Sequence, residues 1–164
     1  KAYSTRVGEG PFPTELPEQE VSLLRDGRGR EYGVTTGRPR RCGWFDAVIS
    51  RYSVMINGVN SLAVMKLDVL DHFTTIRICT AYRYRGELVK TFPSSLKMLA
   101  ECEPVYEELP GWRRDTSSIK HYEDLPKEAR AYLDRISELS GAPVDLVSVG
   151  WRRDETIVRR NVWE

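Results

Sequence analysis

Seven residues, Val34-Thr35-Thr36-Gly37-Arg38-Pro39-Arg40, set two guanidinium groups two positions apart beside a pair of hydroxyls and a glycine. Arginine forks pair bidentately with carboxylates and phosphates. Threonine hydroxyls, and amides that a glycine lets approach closely, add donors for the same kind of anion. Pro39 stiffens the display of Arg38 and Arg40. The composition is that of an anion-binding loop, and a solvated basic loop has the same composition. A second stretch, MKLDVLD from Met65 to Asp71, follows a short apolar run. A carboxylate at a strand end can accept the paired N1 and N2 hydrogens of guanine, a pattern that adenine lacks. Asp68 is the candidate reader, with Lys66 lying across the base, although lysine and aspartate at a strand end are also ordinary surface residues. The third stretch is Ser148-Val149-Gly150, where a small residue and a glycine at a strand end let backbone groups reach a ligand.

Other chemistries find little support. No G-x-x-x-x-G-K-[ST] phosphate loop occurs, so phosphates need another holder. His72 and His121, the only histidines, have no neighbouring nucleophile or carboxylate that suggests a triad and are read as surface residues. Cys42, Cys79 and Cys102 form no CxxC pair and read as buried or idle thiols rather than a disulfide framework or metal site. No catalytic or metal-ligating residue is assigned.

These stretches need elements to hold them. Phe45, Val48, Ile49, Tyr52, Met55 and Ile56 recur at helical spacing and predict a helix over 45–56, stopped by Asn57 and Gly58. Residues 61–67 suit a buried strand, 75–82 a half-buried strand with Ile76, Ile78 and Thr80 on one face, and 87–92 its hairpin partner after Arg85-Gly86. Residues 103–109 form a further strand, and Leu125 to Leu139 a second helix ended by Gly141 and Pro143. Residues 144–150 and 155–160 add two short strands. Residues 1–37 read as loop with at most one short element. Trp44 and Phe45 anchor the first helix in the core. The fold class is mixed α/β.

With 164 residues, 40% hydrophobic, 30% charged and a formal net charge of +1, the chain is long enough to bury a core and is not a general nucleic-acid binder. No apolar run approaches the roughly 18 residues of a membrane span, so no membrane partner is expected and the chain reads as cytoplasmic. It begins without Met and is read as a fragment.

Taken in order, TRVGEGPFPTE, EYGVTTGRPRRCGWFD, LAVMKLDVLD, PVYEELPGW and VSVG resemble the C-terminal part of the adenylosuccinate synthetase family, from Lys1 to about Ile157. The resemblance implies an α/β fold, a mixed sheet flanked by helices and P-loop-NTPase-like, of which this chain supplies only some strands. It implies a GTP-dependent ligase of AMP biosynthesis that joins IMP and L-aspartate to give adenylosuccinate, with magnesium. By the same resemblance, Val34 to Arg40 hold aspartate, with Thr36 and Arg38 pairing its carboxylates. Arg38 also reaches IMP, as do Val7 and Gly8. Arg40 reaches GTP, and Lys66, Leu67, Asp68, Ser148, Val149 and Gly150 enclose its guanine. The catalytic acid and base, the phosphate loop, the magnesium ligands and an arginine donated across the family's homodimer are expected outside this chain, so inactivity alone is expected. SVGWRRD stands where the family often has STGPDR. A stand-alone nucleotide-binding or interaction module built from the same region is the alternative.

Overall fold

The computed structural model describes residues 1–161. The elements run β1 (Ser4–Arg6), α1 (Glu18–Arg25), β2 (Arg41–Gly43), β3 (Phe45–Asp46), α2 (Ala47–Asn57), β4 (Leu62–Val64), β5 (Thr75–Tyr84), β6 (Glu87–Val89), α3 (Leu96–Ala100), β7 (Glu103–Pro110), α4 (Lys127–Ser140), β8 (Val144–Ser148) and β9 (Thr156–Val158). The mixed α/β expectation holds, with the strands divided among three small sheets. β1 pairs antiparallel with β2. β5 is flanked by β3 in parallel and by β6 and β7 antiparallel. β8 pairs in parallel with β4 and antiparallel with β9.

The helix expected from Phe45 begins two residues later. Asp46 closes its start, Oδ1 accepting from the amides of Val48 and Ile49 at 3.0 and 3.2 Å while Oδ2 accepts from the Tyr82 hydroxyl at 2.6 Å. Phe45 and Asp46 instead pair with Ile78 and Cys79 of β5. Gly58, at φ 60°, ends the helix as expected. The apolar stripe behaves differently from its pattern: Ala47 and Val48 are buried, whereas Ile49, Tyr52, Met55 and Ile56 are exposed. Residues 1–37 hold two elements, β1 and α1, rather than one at most.

In β5, Ile76 and Ile78 face the core as their alternation predicts, but the register shifts between Cys79 and Ala81. A bulge of this kind turns the following side chains to the other face. Tyr82 therefore shares a face with Cys79, and both are buried, as is Ala81, while Thr80 is not. Cys79 and Tyr82 form a second small core with Val48, Leu99 and Cys102. The main core joins Tyr3, Leu24, Leu67, Leu70, Ile76 and Ile78 to Tyr132, Leu133 and Ile136 of α4 and Val147 of β8. Strand β4 is shorter than the run that suggested it, because Lys66 takes a left-handed conformation (φ 63°) and Leu67–Leu70 form a 3-10 turn. Trp44 and Phe45 are buried, both histidines exposed, and all three cysteines are free and buried. Among the described residues no helix is long and apolar enough to cross a membrane.

Candidate functional site

The parallel pairing of β4 with β8 decides the geometry of the site. Parallel strands end on the same side of their sheet, so Lys66–Asp68 and Ser148–Gly150 emerge side by side. The Ser148 hydroxyl accepts from the Lys66 amide at 2.9 Å, holding the positive-φ backbone at Lys66. Leu67 and Val149 are fully buried in the core, and the Val149 amide donates to the Glu155 carbonyl at 2.9 Å. Neither contributes a side chain to the neighbouring cleft.

That cleft has a volume of about 520 Å³ and is lined by Arg28, Arg30, Lys66, Asp68, Gly150 and Trp151, among others. Trp151 stands at its edge, 91% exposed. Asp68 is 5% exposed, and its buried Oδ1 has no hydrogen-bond partner among the described residues. Burial first, and the nearby charge of Asp71 second, raise its carboxyl above the usual range, partly offset by Arg28. A buried carboxylate oxygen without a donor is costly, and its cost falls when a ligand supplies N–H groups.

The basic stretch forms a tight loop closed by a bridge between Tyr32 and Pro39. The Gly33 amide donates to the Arg38 carbonyl, and the Gly37 amide to the Gly33 carbonyl, both at 2.8 Å. Gly37 sits at φ 65°, where a side chain would be strained. The tip is exposed: Val34 is 99% accessible, and the Arg38 guanidinium has no hydrogen-bond partner among the described residues, while its amide donates to Thr36 Oγ1 at 3.4 Å. Arg40 is half-buried at the base of the loop.

Sequence reasoning missed the residue that connects loop and cleft. Glu31 is fully buried. Its Oε1 accepts from the Tyr3 hydroxyl at 2.6 Å and Lys66 Nζ at 2.8 Å, and its Oε2 from Lys1 Nζ at 2.9 Å and Arg40 Nη1 at 3.1 Å. Burial disfavours the charge, but the bonds from Lys66, Tyr3 and Lys1 outweigh it and hold the carboxyl at about 2. The signal was present, since Glu31 opens the quoted EYGVTTGRPRR run.

Asp71, at the end of the MKLDVLD stretch, is a second residue without a role in the sequence reading. It is buried and accepts from Trp112 Nε1 (2.6 Å), the Thr116 amide (2.8 Å), the Thr116 hydroxyl (2.9 Å) and Arg28 Nη1 (3.3 Å). Arg28 also forks onto Asp115 at 3.0 and 2.9 Å. The network braces the cleft wall and ties LDVLD to PGW. Val7 and Gly8 lie on an exposed loop held by Arg41, whose Nη1 donates to the carbonyls of Gly8 (3.3 Å) and Gly10 (2.8 Å). Glu31 thus joins Arg40 to Lys66, and the cleft joins Lys66, Asp68 and Gly150. Among the described residues no hydrogen bond joins Val7 or Gly8 to either group.

The α/β scaffold thus carries an exposed basic loop and a polar cleft, joined by one buried carboxylate. A sequence-family model described as adenylosuccinate synthetase matches residues 1–157, and the chain belongs to that family. It is 56% identical over 163 residues to the adenylosuccinate synthetase of Desulforamulus reducens, covering 99% of this chain and 38% of that protein. It is 59% identical over 157 residues to that of Desulforudis audaxviator, covering 96% and 36%. A solved structure described as fully ligated adenylosuccinate synthetase from Plasmodium falciparum superposes with a TM-score of 0.92 at 38% identity, covering 97% of this chain and 38% of that one. The chain therefore spans a little over a third of the length of these relatives.

Proposed function

We propose that this chain is the C-terminal portion of a GTP-dependent ligase that joins IMP and L-aspartate into adenylosuccinate, and that it supplies the guanine and aspartate subsites. The observation that carries the reading is the donor-free Oδ1 of buried Asp68 on the wall of a cleft. Guanine offers two parallel N–H donors to such a carboxylate, and adenine does not. Lys66 covers one side of the base with its methylene stem, held by Glu31 and by the Gly29 carbonyl. Gly150 and Trp151 bound the other side.

On the loop, Thr36 and Arg38 meet the carboxylates of aspartate, with Arg38 also reaching the IMP ribose and Arg40 directed to GTP. Val7 and Gly8 lie against IMP. The reaction proceeds by phosphoryl transfer from GTP to the 6-oxygen of IMP; the aspartate amine then attacks C6 and phosphate leaves. For this chain the task is to position the acceptor and neutralise charge. Among the described residues no group of three or more His, Cys, Asp or Glu converges to hold a metal ion, and Glu31 and Asp71 are saturated by donors. The magnesium ligands, the phosphate loop, the acid and base and the arginine donated across the homodimer are assigned in this reading to the remainder of the family's longer chain. The workplace is the cytoplasm.

The full-length protein that carries this chain should form adenylosuccinate from IMP, aspartate and GTP with magnesium, and not with ATP. Arg38→Ala should raise the KM for aspartate by about 10²-fold, the worth of a lost bidentate charge pair. Absence of product with all substrates present contradicts the proposal, as does turnover by the 164-residue chain alone.

A further inference from the structure

Glu31 faces no cleft and carries no exposed surface, yet it is bonded to a residue of each proposed subsite. Three cations, Lys1, Arg40 and Lys66, converge on this single carboxylate, and their side chains remain 26%, 31% and 30% exposed. Each therefore has one flank in the protein and one towards ligand or solvent. The tie to the loop is doubled in the backbone, where the Arg40 amide donates to the Glu31 carbonyl at 2.8 Å. Arg40 also keeps a buried Nε with no acceptor among the described residues, so its guanidinium is not fully committed to Glu31. Lys66 sits at φ 63°, a conformation that a non-glycine residue keeps only when its surroundings hold it.

We propose that Glu31 is a positioning residue that couples the Thr36–Arg40 loop to the guanine cleft, so that ligands at the two subsites raise each other's affinity. The inference rests on the reading of loop and cleft given above. An anion held by Thr36 and Arg38 shifts the loop, carries Arg40 at its base outward and weakens the Arg40 bond to Oε2. The carboxylate, still buried and ionised, then depends more on Lys66 and Lys1, and its hold on Lys66 Nζ tightens. Lys66 is thereby fixed where its stem covers the base, and the nucleotide meets a preorganised wall. Reciprocity requires that a bound nucleotide, by fixing Lys66, favours the loop arrangement in which Arg40 is released from Oε2 and the anion is held.

The test is a linkage measurement on the full-length protein. The Kd for GDP is measured by calorimetry with IMP present, with and without saturating L-aspartate. Aspartate should tighten GDP on the order of tenfold in the wild type, within the usual range of intersite coupling. In Glu31→Gln the ratio should fall to near one, whatever the change in the Kd for GDP alone. A purely structural role lowers stability and leaves the ratio intact. Tyr3→Phe covers the case in which Glu31→Gln does not fold: it removes one donor from Oε1 without touching either loop, and should lower the ratio. A wild-type ratio near one overturns the proposal, and so does a wild-type ratio in Glu31→Gln or, should that variant not fold, in Tyr3→Phe. No GDP binding to the wild type strikes instead at the reading of the cleft, and takes the coupling with it.

Discussion

Replacing Glu31 by Gln should destabilise the protein at neutral pH and much less in acid. The carboxyl is held at about 2, against 4.5 when unpaired, a difference that corresponds to about 3 kcal/mol of stability at pH 7. Its cationic partners are roughly a quarter to a third exposed, so water screens part of this and about 2 kcal/mol is expected. Because the folded value is depressed, the contribution is complete above about pH 4.5 and is lost as pH falls towards 2; below that the folded and unfolded chains bind the same proton. Asp46, Asp68 and Asp71 act with the opposite sign. Burial raises all three, so they cost stability at neutral pH and the cost is relieved in acid. They are common to both proteins and cancel in the difference. Urea unfolding followed by circular dichroism at pH 7, 4.5, 3 and 2 should show a gap between wild type and variant that closes through that window. Equal stability at pH 7, or a gap as wide at pH 2 as at pH 7, would refute the electrostatic account of Glu31.

Gly111→Ala should lower the melting temperature by several degrees, since a Cβ there would lie 1.9 Å from the Phe73 carbonyl oxygen and the backbone must move, at a cost of about 1–3 kcal/mol; an unchanged transition would show that the PGW turn is not tightly packed. GDP should alter the fluorescence of Trp151, which lies at the cleft edge, and Trp151→Phe should remove a large part of that signal, because the other tryptophans among the described residues, Trp44 and Trp112, are buried away from solvent; a full signal from Trp151→Phe argues against ligand at this mouth. Burial pushes the Cys42 thiol up to about 11 and Cys79 higher, so iodoacetamide at pH 8 should leave both unmodified until the protein is denatured. Prompt labelling of the native protein at Cys42 would contradict its packing.

What a sequence shows most clearly is local and repetitive. The periodicity of α4 and the alternation at the start of β5 correspond to buried faces because each is set by neighbours along one strand or turn. The stripe on α2 misleads for the same reason: spacing says that Ile49, Tyr52, Met55 and Ile56 share a face, but not whether anything covers it. The bulge at Cys79–Ala81 and the left-handed Lys66 arise from pairing with distant strands and leave no mark in local composition. The site divides similarly. Thr36, Gly37, Arg38 and Asp68 announce themselves by type, since hydroxyls, glycines and charges at strand ends are suited to ligands. Glu31 and Asp71 do not, because their role depends on donors from 9 to 45 positions away in the chain. Only the parallel register of β4 and β8 brings the Lys66 and Ser148 stretches into one wall.

The central claim, that the cleft reads guanine through Asp68, is tested most directly by calorimetric titration of the full-length protein with GDP, IDP and ADP, in the wild type and in Asp68→Ala. IDP lacks the 2-amino donor, so the account predicts that GDP binds about 10-fold or more tighter than IDP, and far tighter than ADP, in the wild type. In Asp68→Ala, GDP should weaken by about 10²-fold and its advantage over IDP should vanish. Equal wild-type affinity for the three nucleotides, or a preference for GDP that survives the loss of the carboxylate, would contradict it.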